Sequence, residues 1–128
     1  MIAFEKVTVE NESVVKEMFR SHNVSEKQVQ YCVKVDDTYI GVIDYSVQEE
    51  SVVLSQLIIH FDYQSYGYGT NTYFTFEEMM KQRGVKEIKV LQKELTEQAK
   101  TFIESFGFNE EDGTYVKKNI TMISNVLK

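Results

Sequence analysis

The 128-residue chain has one cysteine, no proline and only six glycines. Cys32 has no second cysteine to pair with, and no group of cysteines and histidines is spaced to bind zinc. A disulfide scaffold and a structural zinc domain are therefore excluded. We expect a reducing, cytoplasmic location and no metal. Because glycine is scarce, two glycines close together become informative.

Long hydrophobic runs are also missing. The longest one covers Met1 to Phe4 and ends at Glu5. A membrane-spanning helix needs about 20 apolar residues, and the core of a secretory signal needs about 7 to 15. We therefore expect a soluble protein with neither feature.

Basic residues are outnumbered, with 14 lysines and arginines against 20 aspartates and glutamates, which gives a formal net charge of −6. Proteins that bind nucleic acid use positive charge to neutralise phosphates, so we predict no nucleic-acid partner. The length, together with the absence of linkers and repeats, predicts a single domain over residues 1–128.

Hydrophobic periodicity predicts an α+β fold with the element order βααβββαβαββ. The pattern predicts strands at 2–9, 31–35, 39–48, 51–60 and 85–90, and a last hairpin that pairs 106–110 with 114–118. It predicts helices after a cap at Asn11 or Ser13, at 25–29 and at 70–83, and a last helix with its cap at Thr96 and its apolar stripe over 99–106. The central sheet should be mixed, mostly antiparallel and flanked by helices.

The glycines cluster once, in Gln64-Ser65-Tyr66-Gly67-Tyr68-Gly69-Thr70, between the fourth strand and the next helix. The first backbone amides of a helix lack partners and carry the positive end of its dipole, so they bind phosphate groups. Gly67 and Gly69 permit a close approach, while Gln64 and Ser65 add side-chain donors. The segment predicts a phosphate or pyrophosphate site that needs no cation.

This segment resembles the acetyl-CoA loop of the GNAT superfamily of N-acyltransferases, whose motif is Gln/Arg-x-x-Gly-x-Gly/Ala. The stretch from Ala99 to Phe108 is similar to the second signature of that family, an alanine followed by Phe-Tyr and Leu-Gly-Phe. The resemblance covers about residues 31–118 and implies the GNAT fold. It also implies an N-acetyltransferase that moves an acetyl group from acetyl-CoA to a primary amine of a small molecule, protein or peptide. A homodimer is possible by the same resemblance.

The resemblance further implies where acetyl-CoA binds. Pantetheine would lie along the end of the fourth strand like an added strand, and the pyrophosphate would lie on the glycine loop. The residues implied to bind the cofactor are Leu57, Ile58, Ile59, Gln64, Ser65, Tyr66, Gly67, Tyr68, Gly69, Thr70, Thr96 and Phe102.

Two features depart from the family pattern. Ile103 stands where the family usually has a tyrosine that protonates the departing thiolate, and residues 51–60 carry no carboxylate that would act as a base. These departures favour an alternative, a degenerate member that binds acyl-CoA as a sensor or regulatory subunit without turning it over. A third alternative is a fold used for protein association.

Three residues are candidates for proton transfer. His60 ends the fourth strand, and histidine changes charge near neutral pH. Asp44 lies between apolar residues of the third strand, and Tyr115 follows the last turn, where it would replace the missing tyrosine. Each also has a structural interpretation: a hydrogen-bonded histidine at a strand end, an acid facing solvent and a cross-strand packing tyrosine.

Overall fold

The structure of the chain is a computed structural model that describes residues 1–22, 28–92, 95 and 97–120. Strands and helices follow one another along the chain in the order given below, with a 3₁₀ turn at Phe61–Tyr63. The elements are β1 (Ile2–Lys6), α1 (Glu12–Ser21), β2 (Tyr31–Val35), β3 (Thr38–Gln48), β4 (Ser51–Ile59), α2 (Tyr68–Gln82), β5 (Glu87–Leu91), α3 (Glu97–Glu104), β6 (Asn109–Glu111) and β7 (Thr114–Lys118).

Seven strands form one sheet in the order β1-β2-β3-β4-β5-β7-β6. β4 pairs with β5 in parallel, whereas β1 with β2, β2 with β3, β5 with β7 and β6 with β7 are antiparallel. The predicted mixed, mostly antiparallel sheet is confirmed. No helix in the described ranges has both the length and the apolar character needed to cross a membrane.

Several predicted boundaries are wrong by a few residues. β1 ends at Lys6 rather than at residue 9, because Thr8 and Asn11 form a turn in which the Thr8 amide donates to Asn11 Oδ1 at 2.7 Å. Asn11 stands at the N-cap position of α1, but its side chain serves this turn and makes no helix cap. α2 begins two residues before the predicted start.

Other differences lie near the ends of the short elements. α3 begins at Glu97, directly after the predicted cap at Thr96, which lies outside the described residues, and it ends at Glu104 rather than at residue 106. The first strand of the last hairpin is only Asn109–Glu111. The predicted helix at 25–29 lies mostly outside the described residues, and Gln28 and Val29 are not helical.

The chain divides into two compact units, Met1–Tyr45 with Gln56–Phe76, and Ser46–Ser55 with Glu77–Lys128. In the first unit, the buried face of α1 packs on the sheet through Val15, Met18, Phe19, Val29, Cys32 and Val42. Burial raises the pKa of the Cys32 thiol to about 11, so this cysteine is an inert core residue.

The second unit contains a buried ionic cluster beside its apolar core. Glu77 in α2 is only 5% exposed, and its carboxylate lies 2.6 Å from Lys117 Nζ and 3.4 Å from Lys81 Nζ. A buried charge is tolerated only when it is paired, and these two lysines supply the partners of Glu77. The cluster thereby ties the second half of α2 to β7.

At Gly41 the backbone of β3 lies very close to the backbone at the end of β4. A Cβ atom placed on Gly41 would lie 2.1 Å from the carbonyl oxygen of Ile58 and 3.1 Å from Ile59 Cδ1. Next to it, the register between β2 and β3 shifts, so that Ile40 is an extra residue in β3. Such a bulge bends a strand locally. Only glycine leaves room for the backbone of Ile58.

We expect Gly41→Ala to lower the free energy of unfolding by about 1 to 3 kcal/mol, because the added methyl group must displace the Ile58 backbone. Urea denaturation measures the change. Gln48→Ala is the matched control, since Gln48 lies exposed in the same strand, where a surface substitution changes stability by about 0.5 kcal/mol or less. Equal stability of the two variants would contradict the close approach.

Thr72 in α2 is fully buried, and its hydroxyl has no hydrogen-bond partner within the described residues. Because a buried polar group without a partner costs about 1 to 3 kcal/mol, we expect Thr72→Val to raise the free energy of unfolding by about 1 kcal/mol. Thr72→Ser keeps the hydroxyl and loses a methyl group, so it should be destabilising. Thermal and urea denaturation of both variants check the sign.

Candidate active site

The glycine loop joins the end of β4 to the start of α2, as the sequence predicts. Residues 64–67 form a turn in which Ser65 and Gly67 have positive φ angles of 72° and 81°. The Asn71 amide donates to the Gly67 carbonyl at 3.0 Å, which is the first bond of the helical ladder. The amides of residues 68–70 precede that bond, so the helix itself gives them no acceptor. A Cβ atom on Gly67 would meet no atom within 4 Å.

Gln64 has a different contact from the one expected of it. Its side-chain Nε2 donates to the Ile59 carbonyl at 2.9 Å instead of standing free as a phosphate donor. Its backbone amide donates to Phe61 O at 3.3 Å. Gln64 therefore closes the loop onto the end of β4 and fixes where the turn begins.

The segment Leu57–Ile59 lies beyond the ladder that joins β4 to β5. That ladder pairs Ser51–Val53 with Glu87–Lys89. On the β3 side, the His60 amide donates to Ile40 O at 2.8 Å, so this edge stays paired past the end of β4. Leu57 and Ile58 are half-buried and Ile59 is buried. The arrangement suits an extended ligand laid along one edge of a strand.

His60 is held firmly at the end of β4. Its Nδ1 accepts a hydrogen bond from the Asp62 amide at 3.1 Å, while the Asp62 carboxylate lies 3.6 Å from the same atom. The Tyr63 ring lies 6.2 Å from the His60 ring. The His60 side chain is 19% exposed. It is thus a hydrogen-bonded strand-end histidine that also borders an open cleft.

His22, just after the end of α1, is a site residue that sequence reasoning missed. Its ring stacks on Phe61 at 4.0 Å with an angle of 10°, and it meets the His60 ring edge-on at 6.4 Å. Both histidines of the chain therefore lie together. They are far apart in sequence, and their presence as the only two is the one signal that would have paired them.

The environment of His22 disfavours its charged form. Burial lowers the pKa of His22 first and the proximity of His60 lowers it further, while hydrogen bonding to the Ile59 backbone acts in the opposite direction. Its Nε2 is buried without a hydrogen-bond partner among the described residues. A neutral His22 follows from these contacts at neutral pH.

A cleft of about 580 Å³ opens beside His60 in the first unit. Its walls come from α1, from the turn between β2 and β3, and from residues 60–63. The described residues that line it include Glu17, Asp37 and Asp62 and no lysine or arginine, and the Glu17 carboxylate pairs with Arg20 at 2.9 Å outside this lining. The cleft therefore attracts cations rather than anions. Tyr39 also borders it, but its hydroxyl donates to Glu5, and this bond raises the pKa of Tyr39.

The other two catalytic candidates have hydrogen-bond partners of their own. Asp44 Oδ1 accepts hydrogen bonds from the backbone and the side chain of Gln30 at 3.1 and 2.9 Å. Asp44 borders a separate cleft of about 520 Å³. Tyr115 belongs to the second unit, where it is buried and donates to Glu104 Oε2 at 3.1 Å. Burial and this bond raise the pKa of Tyr115.

The cofactor residues expected on the second signature also belong to the second unit. Thr96 lies outside the described residues. Phe102 is half-buried in α3 and packs edge-on against Phe106 at 4.6 Å, and Ile103 is a buried core residue. Across the described part of the chain, no three histidine, cysteine or acidic side chains are grouped to hold a metal ion.

A protein-family model matches nearly the whole chain. The model of the acetyltransferase (GNAT) domain family matches residues 3–127. A search of the curated proteins finds no significant match.

Solved structures match closely in fold and weakly in sequence. An acetyltransferase from Thermus thermophilus is 17% identical with a TM-score of 0.75, covering 92% of this chain and 97% of that one. The ribosomal-protein-S18-alanine N-acetyltransferase of Escherichia coli is 16% identical with a TM-score of 0.71, covering 95% and 96%. The PaiA N-acetyltransferase of Thermoplasma acidophilum, solved with coenzyme A, is 15% identical with a TM-score of 0.72, covering 92% and 99%.

We expect the lowered pKa of His22 to make stability depend on pH. Below the ordinary histidine pKa of about 6.5 the unfolded chain binds a proton that the folded chain resists, so stability falls as the pH falls. Urea denaturation between pH 8 and pH 5 should show a larger loss for the unaltered chain than for His22→Phe, which keeps the ring stack. Parallel curves for the two proteins would contradict the assignment.

Proposed function

This chain belongs to the GNAT acetyltransferase family, and we propose that it transfers an acetyl group from acetyl-CoA to a positively charged primary amine. The observation that carries the proposal is the juxtaposition, in one unit, of a helix-start glycine loop with a carboxylate-lined cleft that contains His60. The acceptor is a small molecule or a protein or peptide amine. The proposal includes one catalytic domain over residues 1–128, a cytoplasmic location and a possible homodimer.

Acetyl-CoA is the cosubstrate of this family, and the residues of the glycine loop fit it. Residues 61–80 contain no lysine or arginine, so the positive end of the α2 dipole and the amides of residues 68–70 would hold the phosphates. Gly67 leaves open space where a side chain would otherwise stand. Further contacts of the cosubstrate are proposed at Ser65, Tyr66, Tyr68, Gly69, Thr70, Thr96 and Phe102.

The pantetheine arm would run from the glycine loop back along Ile59 to Leu57, which would place the thioester at the far end of the arm, beside β4. In the transfer the amine nitrogen forms a bond to the carbonyl carbon and the C–S bond breaks. The amine loses one proton and the departing sulfur gains one. The chain contributes mainly by positioning the two reactants, and the cleft carboxylates hold the acceptor through its positive charge.

A second candidate is a degenerate member that binds acyl-CoA without turnover. The specific observation in its favour is Ile103, a buried aliphatic residue where the resemblance implies a proton-donating tyrosine. The two candidates differ in one measurement. Thiol release from acetyl-CoA in the presence of cationic amines supports the enzyme, whereas tight binding with no release on a broad amine panel supports the sensor.

We expect Gly67→Ala to weaken acetyl-CoA binding by at least about tenfold, since its methyl group would occupy the space proposed for the pyrophosphate. Gly113→Ala is a closely matched control. Gly113 has a φ of 80° against 81° for Gly67, and an added Cβ meets nothing within 4 Å at either position. Both variants therefore have the same backbone cost. Isothermal titration calorimetry measures the acetyl-CoA affinity of both variants. Equal affinity of the two variants would refute the proposed binding of acetyl-CoA at the glycine loop.

We expect Asp37→Asn to raise the KM for a cationic amine about threefold to tenfold, because one attractive charge leaves the cleft. The KM for acetyl-CoA should stay unchanged. Asp36→Asn is the control, since Asp36 neighbours Asp37 in the turn but does not border the cleft. If both variants give the KM of the unaltered chain, the amine does not bind in this cleft.

A further inference from the structure

Tyr66 has the most exposed aromatic side chain that the structure describes, at 72%. It stands in the turn of the glycine loop, between two residues with positive φ angles, Ser65 at 72° and Gly67 at 81°. In the described part of the chain, the one ring it meets is Tyr68, at 6.3 Å with a tilt of 49°. The turn therefore holds Tyr66 away from the core and leaves most of its ring in water.

Exposure alone does not make this ring a contact site, because single apolar side chains are common on protein surfaces. Two other aromatic side chains, Phe61 and Phe74, are exposed as well. Phe61 stacks on His22 at 4.0 Å, and Phe74 packs edge-on against Tyr73 at 5.3 Å. Of these three aromatic residues, Tyr66 is the one that belongs to the glycine loop.

The cosubstrate has an aromatic base close to this position. Under the proposed function, the amides of residues 68–70 hold the pyrophosphate, and the pantetheine arm leaves it toward Ile59 and Leu57. The adenosine is attached to the other end of the pyrophosphate, with one ribose between the phosphate and the base. Tyr66 precedes residue 68 by two steps of about 3.8 Å between Cα atoms. Adenine on such a pyrophosphate is within reach of the Tyr66 ring.

Stacking is the kind of contact that this loop can offer to the adenosine. Residues 61–80 contain no lysine or arginine, and the chain has a formal net charge of −6. Adenine is uncharged near neutral pH, so an aromatic ring can hold its flat face without any ion pair. One such stack strengthens binding by about tenfold to 100-fold.

We propose that Tyr66 stacks on the adenine base of acetyl-CoA and that Tyr68 is its positioning residue. This inference rests on the proposed binding of acetyl-CoA at the glycine loop, and it assigns one part of the cosubstrate to one side chain. Tyr68 is half-buried at the first position of α2. Its ring is therefore fixed by the helix and limits how far the Tyr66 ring can turn.

Two ligands separate the base from the rest of the cosubstrate. Coenzyme A contains the adenosine, whereas 4′-phosphopantetheine contains the arm and one phosphate without it. Tyr66→Leu keeps an apolar side chain and loses the flat ring. We expect it to weaken the binding of coenzyme A about tenfold or more and to leave the affinity for 4′-phosphopantetheine unchanged, as measured by isothermal titration calorimetry.

Two results of this titration would overturn the inference. One is an unchanged affinity of Tyr66→Leu for coenzyme A. The other is an equal loss for both ligands, because the side chain would then act on the shape of the loop and not on the base.

Tyr66→Phe is the matched control, since it keeps the ring and loses only the hydroxyl group. Its affinity for coenzyme A should stay within about twofold of the unaltered chain. Phe74→Ala removes another exposed aromatic side chain from α2, outside the glycine loop, and should also leave this affinity unchanged. A loss in Tyr66→Phe as large as in Tyr66→Leu would assign the contact to the hydroxyl group and overturn stacking.

Proton NMR spectra of the bound ligand give a readout that does not depend on affinity. An aromatic ring stacked on adenine shifts the two ring protons of the base upfield from their positions in free coenzyme A. At saturating ligand, we expect this shift with the unaltered chain and with Tyr66→Phe, and its loss with Tyr66→Leu. The same shift in Tyr66→Leu and in the unaltered chain would contradict the stack.

The positioning role is tested at Tyr68 by the same spectra. Tyr68→Leu should reduce the upfield shift of the adenine protons and weaken the binding of coenzyme A about threefold, with the affinity for 4′-phosphopantetheine unchanged. Tyr68→Phe keeps the ring and should restore both values. An upfield shift in Tyr68→Leu equal to that of the unaltered chain would remove Tyr68 from the inference.

Failure of the proposed binding and failure of the stack give different results. If the unaltered chain does not bind coenzyme A, the proposed binding at the glycine loop and the stack are both wrong. If Gly67→Ala weakens the binding of coenzyme A while Tyr66→Leu leaves it unchanged, the loop binds the cosubstrate and the stack alone is wrong.

Discussion

The close contact between Gly41 and the backbone of Ile58 fixes the strand end from which the glycine loop and His60 continue. Because no side chain separates the two strands there, the last residues of β4 follow the bulged path of β3, and the His60 amide reaches Ile40 O. The 3₁₀ turn, the glycine loop and the start of α2 all continue from that point. A shift of the strand end would move the loop and His60 together.

Charge is distributed unevenly around this strand end, and the distribution explains how an acidic chain can take an anionic cosubstrate. The loop from Phe61 to Met80 supplies positive potential without any cationic side chain, through backbone amides and the helix dipole alone. Such potential is local to the first turn of the helix. Under the proposed function, the carboxylates of the nearby cleft would attract a cationic amine, and the two reactants would be attracted to different places by opposite charges.

The sequence predicted the parts of the fold that depend on local chemistry. The strand, glycine loop and helix around residues 57–82 formed as expected, because glycine scarcity and helical spacing act over short distances. Element ends were less accurate, since Asn11 satisfied a turn and Gln64 bonded back to Ile59, and side-chain choices of this kind depend on neighbours that periodicity does not reveal.

The candidate site was predicted less completely than the fold. His22 could not be linked to His60, because only the packing of α1 beside the end of β4 brings them together. Asp44 and Tyr115 had plausible residue types but have other partners, Gln30 and Glu104. Residue type indicates what a side chain can do, while its partners determine whether it is free to do it.

The absence of the expected tyrosine at position 103 bears on which group protonates the departing sulfur. Ile103 is part of a buried core and cannot supply a proton, and the hydroxyls of Tyr115 and Tyr39 are bonded to glutamates, which hold their protons more tightly. Neither of these two tyrosines is therefore a ready proton donor, and Tyr63 is the other tyrosine that lines the cleft beside His60. A coenzyme A thiolate is a modest base that solvent protonates readily, so the slower demand is the charge that develops on the carbonyl oxygen. The proposed transfer therefore depends more on positioning the two reactants than on a tyrosine at position 103.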